Sequence, residues 1–381
     1  LDIQGSLAAD SILIAESHGG GIGLGDTAAG LSIQGSEMQS LACDNLMLTT
    51  AGSIVADNIT AANSLAAGSV TISANGTVSF SGNQSSFQSL VVLADNGIAV
   101  NRDIATVGGN LSLDGDANDL PNGGDGIAFA AGVSLTSAGG LTLETATGDI
   151  SAAGALNLSA DSSIAILDNL AAAGLLTINA DSDGAGGGEL TVAAGATIAA
   201  GANTVRITAD DLDLAGNLQA GAIYIYDSDG TGIGLGATPV AGGLNVDGNE
   251  LQRTTTPGLS LYTQGSIFAD NITAANSANA GQVVLDAGGA IAFDNAPAVF
   301  VALSALAGNG IAVNQDLVTT ALDLSLDGDS NDTADGADGI RLAAGVSLTS
   351  AGSLTLESTT GGMTAAGDLN VYADSGIAIL N

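Results

Sequence analysis

Short apolar–polar–apolar triplets recur along the chain: VTI at Val70, LSL at Leu111, VSL at Val133, LTL at Leu141, LNL at Leu156, LTI at Leu176, LTV at Leu190 and VRI at Val205. Alternation with a period of two, with Ser, Thr or Asn at the middle position, predicts half-buried β-strands of three to five residues. Clusters of Gly, Asn, Asp and Ala between the triplets predict turns. No segment carries apolar residues at i, i+3, i+4 and i+7. A glycine every six or seven residues would cost a helix about 1 kcal/mol each. The pattern therefore predicts an all-β chain.

A longer repeat underlies this beat. ADNITAANS at Ala56 to Ser64 returns at Ala269 to Ser277, GIAVNRD at Gly97 to Asp103 returns as GIAVNQD at Gly310 to Asp316, and LTLE at Leu141 returns at Leu354, each displaced by 213 residues. Nearer the start the displacement is 211: GIGLG at Gly21 pairs with Gly232, and LDIQG at Leu1 with LDLAG at Leu212. The expected organisation is one large repeat over residues 1–211, and a second, incomplete one over 212–381 that continues it. An array cut within a unit is expected.

Isolated three-residue strands have no stability of their own, so the architecture must stack them. Antiparallel sandwiches favour longer strands and aromatic cores, whereas aromatic residues make up 3% of this chain and Trp is absent. A right-handed parallel β-helix fits: each short strand pairs with its equivalent one coil above, about 4.8 Å away. Leu, Ile and Val then fill a narrow interior while Ser and Thr face outward. At roughly 20 residues per coil, about 18–19 coils would form a rod on the order of 90 Å long.

The phrase GVSLTSAGGLTLETATGDISAAGALNLSA at Gly132 to Ala160 resembles the haemagglutinin-type repeats of filamentous haemagglutinin-like exoproteins, secreted by two-partner systems of Gram-negative bacteria. The resemblance rests on the G-x-L-T-L and G-x-I-x-A cadence and covers nearly the whole chain. It implies a parallel β-helix shaft in a long adhesin, extracellular or at the cell surface. It carries no ligand with it. No NPNG-like motif leads the chain, since Pro121-Asn122-Gly123 falls in a loop whose counterpart, Ala334 to Gly336, reads ADG; an RGD tripeptide is also absent. Autotransporter passengers share the same architecture.

The sharpest chemical pattern is Asp114-Gly-Asp116-Ala-Asn118-Asp119 followed by Asp125, repeated as Asp327-Gly-Asp329-Ser-Asn331-Asp332 followed by Asp338. Counting from the first Asp, oxygen donors stand at positions 1, 3, 5 and 12, the spacing of an EF-hand-type Ca²⁺ loop. Asp114, Asp116, Asn118 and Asp125, with Asp327, Asp329, Asn331 and Asp338, are thus candidate Ca²⁺ ligands. Leu120 and Thr333 would offer the carbonyl of position 7. Two features depart from that loop: position 12 is Asp rather than Glu, and position 6 is Asp119 or Asp332 where Gly would make the sharp turn. A solvated acidic loop of turn-forming residues is the alternative. Shorter acidic turns occur at Asp181-Ser-Asp183 and Asp227-Ser-Asp229, the latter aligned with Glu16-Ser-His18.

Charge narrows the partners. Four Lys and Arg against 40 Asp and Glu give a formal charge of −36. Nucleic-acid backbones and anionic membranes need clustered basic residues and are excluded as natural partners. No apolar run is long enough for a transmembrane helix. Cys43 is alone, which rules out an intrachain disulfide, and His18, the single His, reads as an exposed turn residue. The first residue is Leu1 and no leader precedes it, so the chain reads as an excised or processed piece. Arg102, Arg206, Arg253 and Arg341 read as local partners for surplus Asp. No cofactor other than Ca²⁺ is expected, and no enzyme: Ser-His-Asp chemistry would rest on His18 alone, and the Asp pairs lie in repeated loops rather than a unique groove. The expected function is a structural shaft segment of a secreted or surface-displayed repeat adhesin, self-associating or continuing the array. The alternatives are a module binding glycans or surfaces and, further off, a carbohydrate-active β-helix enzyme.

Overall fold

The computed structural model describes residues 1–121, 123–334 and 336–380. The chain is all-β, 52% strand and 5% helix. By contacts it divides into two compact units, Leu1–Asp183 with Leu190–Asn203, and Gly184–Glu189 with Thr204–Asn381.

In the first unit the strands belong to three parallel sheets, and the chain visits them in rotation. Leu111–Asp114 lies in one sheet, Gly126–Phe129 in the next, Val133–Ser137 in the third, and Gly140–Glu144 returns to the first, where Leu111 pairs with Leu141 and Leu113 with Leu143. Period-2 alternation puts every second side chain on one face. The register then stacks like on like. Ile14, Leu48, Ile72, Val92, Leu113, Leu143 and Ile166 form one continuous row, and Ile22, Ile54, Val78, Ile98, Ile127, Ile150, Leu170 and Ile198 form another in the second sheet. Apart from Ile14, these residues are buried. The intervening Ser, Thr and Ala face outward.

The second unit repeats the scheme. Leu324–Asp327, Gly339–Leu342, Ser347–Ser350 and Ser353–Glu357 occupy three sheets in rotation, and Leu324 pairs with Leu354. A row of Ile207, Ile225, Leu261, Leu285, Ala305, Leu326 and Leu356 runs through its core. Most strands are as short as the triplets imply. The longest, Leu41–Thr50, exceeds them because its front pairs with Leu7–Ala8 and its rear with Ser11–Glu16.

Among the described residues, four short helices of four to six residues account for the helical content: Gly35–Met38, Ala61–Ser64, Gly248–Arg253 and Ala274–Ser277. The repeated ADNITAANS builds two of them identically. Asn58 and Asn271 take left-handed φ of 56° and 54°, and Thr60 and Thr273 cap the following turn, each hydroxyl accepting from the amide of Asn63 or Asn276. GIGLG forms a strand in both repeats, and its closing glycine makes the corner. Gly25 and Gly236 have φ of 84° and 104°, and a Cβ on either would strike the carbonyl of Asp57 or Asp270.

Candidate functional site

Both acidic loops leave the end of a first-sheet strand and re-enter at the start of a second-sheet strand. A main-chain bond closes each neck: Gly126 N donates to Gly115 O at 3.3 Å, and Gly339 N to Gly328 O at 3.0 Å. Only glycine fits at Gly115 and Gly328, where a Cβ would lie 2.5 Å from the carbonyl oxygen across the neck. Asp116 and Asp125, or Asp329 and Asp338, are therefore the first and last residues inside the loop. Asn122 and Asp335, in the P-N-G and A-D-G stretches, lie outside the described residues.

The candidate ligands divide into two groups. Asp114 and Asp327 are engaged locally, accepting from the amides of Asp116 at 3.1 Å and Asp329 at 3.0 Å. Asn118 and Asn331 accept from the amides of Leu120 at 2.9 Å and Thr333 at 2.8 Å, as turn-forming Asn side chains do. Burial, together with neighbouring acidic groups, pushes the Asp114 and Asp327 carboxyls up. Asp119 and Asp332, at position 6, take φ of 55° and 54°, so the chain makes there the left-handed turn that glycine usually makes.

Asp116 and Asp125 converge on one residue of the next turn, Thr147. The Asp116 Oδ2 accepts from Thr147 N at 2.9 Å and from its Oγ1 at 2.5 Å, while the Asp125 Oδ2 lies 3.3 Å from the same hydroxyl. In the second loop Asp329 accepts from Thr360 N at 2.6 Å, and the Thr360 hydroxyl reaches Asp338 at 3.4 Å. Asp116 is 0% exposed and Asp329 1%. The Oδ1 of each is buried without a hydrogen-bond partner. The structure thus brings together positions 3 and 12 of the expected ligand set, and turns of the loop occupy positions 1 and 5. Thr147 and Thr360 escaped the sequence reading, although they occupy the same place after the repeated LTLE.

Among the described residues, three carboxylate oxygens lie within 4.8 Å of one another only at Asp210, Asp227 and Asp229. Each has an anchor: Asp210 accepts from Gly187 N at 2.7 Å, Asp227 from Gly232 N at 2.9 Å and the Thr263 hydroxyl at 2.6 Å, and Asp229 from the amide and hydroxyl of Thr231. Burial pushes the Asp227 carboxyl up. In the first repeat Glu16 takes the place of Asp227, accepting from Thr50 Oγ1 at 2.8 Å and Gly21 N at 3.3 Å. The Thr50 hydroxyl and the His18 amide hold it down to about 2. His18 is exposed, as expected of a turn residue.

One outer face of the second unit departs from the repeat. Strand register brings Tyr226 beside Tyr262, their rings 4.9 Å apart and 13° from parallel, with Tyr224 6.3 Å from Tyr262. The first repeat has Leu13, Ala15 and Thr49 at these places. A cavity of about 300 Å³ beside the rings is lined by Tyr262, Gln264, Asp286, Ser330 and Asn331. Among the described residues the arginines reach no carboxylate, contrary to expectation. Arg102 donates to the carbonyls of Gly82 and Asn101, Arg253 donates to that of Leu214, and the Arg206 guanidinium lies 5.9 Å above the Tyr224 ring.

No protein-family model matches the chain, and comparisons with curated proteins and with solved structures found no match either. Among the described residues no helix is long and apolar enough to cross a membrane.

Proposed function

We propose that the chain is a structural shaft segment of a long, secreted or surface-displayed repeat adhesin, built as a right-handed parallel β-helix. The observation that carries this reading is the rotation through three sheets, with each strand paired in parallel to its equivalent one circuit later. Such a unit grows by repetition, because each circuit needs only its neighbours to bury its apolar row. Its outer surface of Ser, Thr and Asp suits exposure to water and saline. The resemblance of the Gly132 to Ala160 phrase to haemagglutinin-type repeats points the same way. Small-angle scattering and electron micrographs of the purified chain test it: an elongated particle of uniform width is expected, and a compact globule would overturn the reading.

A second reading, a glycan-binding face on the same scaffold, is favoured by the tyrosine stack. Aromatic faces flanked by carboxylates and amides match the apolar faces and hydroxyls of sugar rings. Titration of the chain with an array of soluble oligosaccharides, repeated with Tyr262→Ala, decides it. Binding lost in the variant supports this reading, and no binding by the parent chain dismisses it.

A further inference from the structure

We propose that each acidic loop holds one divalent cation, Ca²⁺ by its ligand chemistry, between Asp116 and Asp125 in the first copy and between Asp329 and Asp338 in the second. The inference does not rest on the shaft reading. A threonine hydroxyl has one proton to donate, yet two carboxylates turn to the hydroxyl of Thr147, at 2.5 and 3.3 Å. Their oxygens are therefore no further apart than those two distances together. Like charges at that separation repel unless something positive lies near.

The second observation is the buried oxygen. Asp116 and Asp329 are 0% and 1% exposed, and each leaves Oδ1 buried with no hydrogen-bond partner. Burying an ionised carboxylate is costly unless it is paired or coordinates a metal. The chain has no Lys, and its four arginines reach no carboxylate among the described residues. The same orphan oxygen recurs 213 residues on, with the same neck closure and the same threonine. A cation placed there ties the neck of the loop to the following turn. Hard oxygen donors suit Ca²⁺, with carbonyls and water completing its shell; Zn²⁺ sites usually include nitrogen or sulfur beside any carboxylate.

The test uses the full chain, stripped with chelator and titrated with CaCl₂ to about 1 mM, the range of extracellular modules. Bound calcium is counted by equilibrium dialysis, and melting is followed alongside. Relative to the parent, the double variant Asp116→Asn/Asp329→Asn is expected to lose two bound ions and most of the calcium-induced rise in melting temperature. Should that variant fold poorly, Asp125→Asn/Asp338→Asn, at the half-buried end of each pair, is expected to do the same. Equal calcium binding by parent and variants overturns the proposal, as does a high-resolution structure in calcium with only water on Asp116 Oδ1. Equal response to MgCl₂ overturns the assignment to Ca²⁺. A globular particle that still loses two ions in the variant would sink the shaft and leave this inference standing.

Discussion

Individual carboxylates in this chain are set by who donates to them and how deep they lie. Glu250 closes the capping box of Gly248–Arg253, accepting from Asp247 N at 2.7 Å and Leu214 N at 3.1 Å, and burial pushes its carboxyl up to about 7. An unfolded Glu titrates near about 4.3. Between those values the folded chain keeps a proton that the unfolded chain has released. The stability from Glu250 is thus full below about pH 4.3 and declines as pH rises to 7. Glu250→Gln is expected to flatten the melting temperature across that interval, as measured by thermal melts in matched buffers; an unchanged slope would rule this out. Glu16, held down to about 2, acts oppositely, its contribution present above about 4.3 and lost as pH falls toward 2. Backbone conformation makes a second residue-scale claim. Asp119 takes φ of 55°, a region that costs most L-residues roughly 1–2 kcal/mol and that Asp tolerates better than Ala. Denaturant melts should rank Asp119→Gly at or above the parent and Asp119→Ala about 1 kcal/mol below it.

At the scale of elements, the strands were legible because a three-residue strand needs only its alternation to be recognised, and LSL, LTL and LTI each appear as a strand with both apolar ends buried. The row gives each of those ends a neighbour above and below. Leu143 is fully buried between Leu113 and Ile166. Leu143→Ala should therefore cost about 2–5 kcal/mol in chemical denaturation, while Thr142→Ala on the outer face should stay within about 0.5 kcal/mol. The short helices were not legible, since four to six residues are too few to show a 3.6-residue period. What marks them is the cap, and Thr60→Ala should cost about 1 kcal/mol. The loop chemistry was legible in its residue types and only partly in its geometry. Ligand spacing along a chain presumes that the loop wraps a single centre. Here Asp114 and Asn118 are drawn off by neighbouring amides, and the partner that gathers Asp116 and Asp125 lies 31 residues after the first and 22 after the second, in the next turn. No local motif announces such a partner; only the 213-residue repeat, which sets Thr360 where Thr147 stands, could have found it.

Over the whole molecule, a formal charge of −36 with no Lys means that carboxylates repel one another with little basic charge to relieve them. Burial raises Asp114, Glu144, Glu189, Asp286 and Asp327 as well as Glu250, and neighbouring carboxylates add to the effect at Asp114, Glu144, Glu189 and Asp327. Folding concentrates charge that the unfolded chain spreads out, so screening should favour the folded state. The Debye length falls from about 30 Å at 0.01 M salt to about 10 Å at 0.1 M. Melting temperature should therefore climb with NaCl over that range and level off above it, and mild acidification from about pH 7.5 to 5.5 should also raise it. Salt and site can be told apart in one experiment. At fixed ionic strength, exchanging NaCl for CaCl₂ leaves general screening nearly constant, so any further rise must come from ions held at particular carboxylates. Asp116→Asn/Asp329→Asn should retain the NaCl response and lose most of the calcium increment. A variant that kept both responses in full would mean that the loops carry no site of their own and that diffuse repulsion alone governs the response of this chain to calcium.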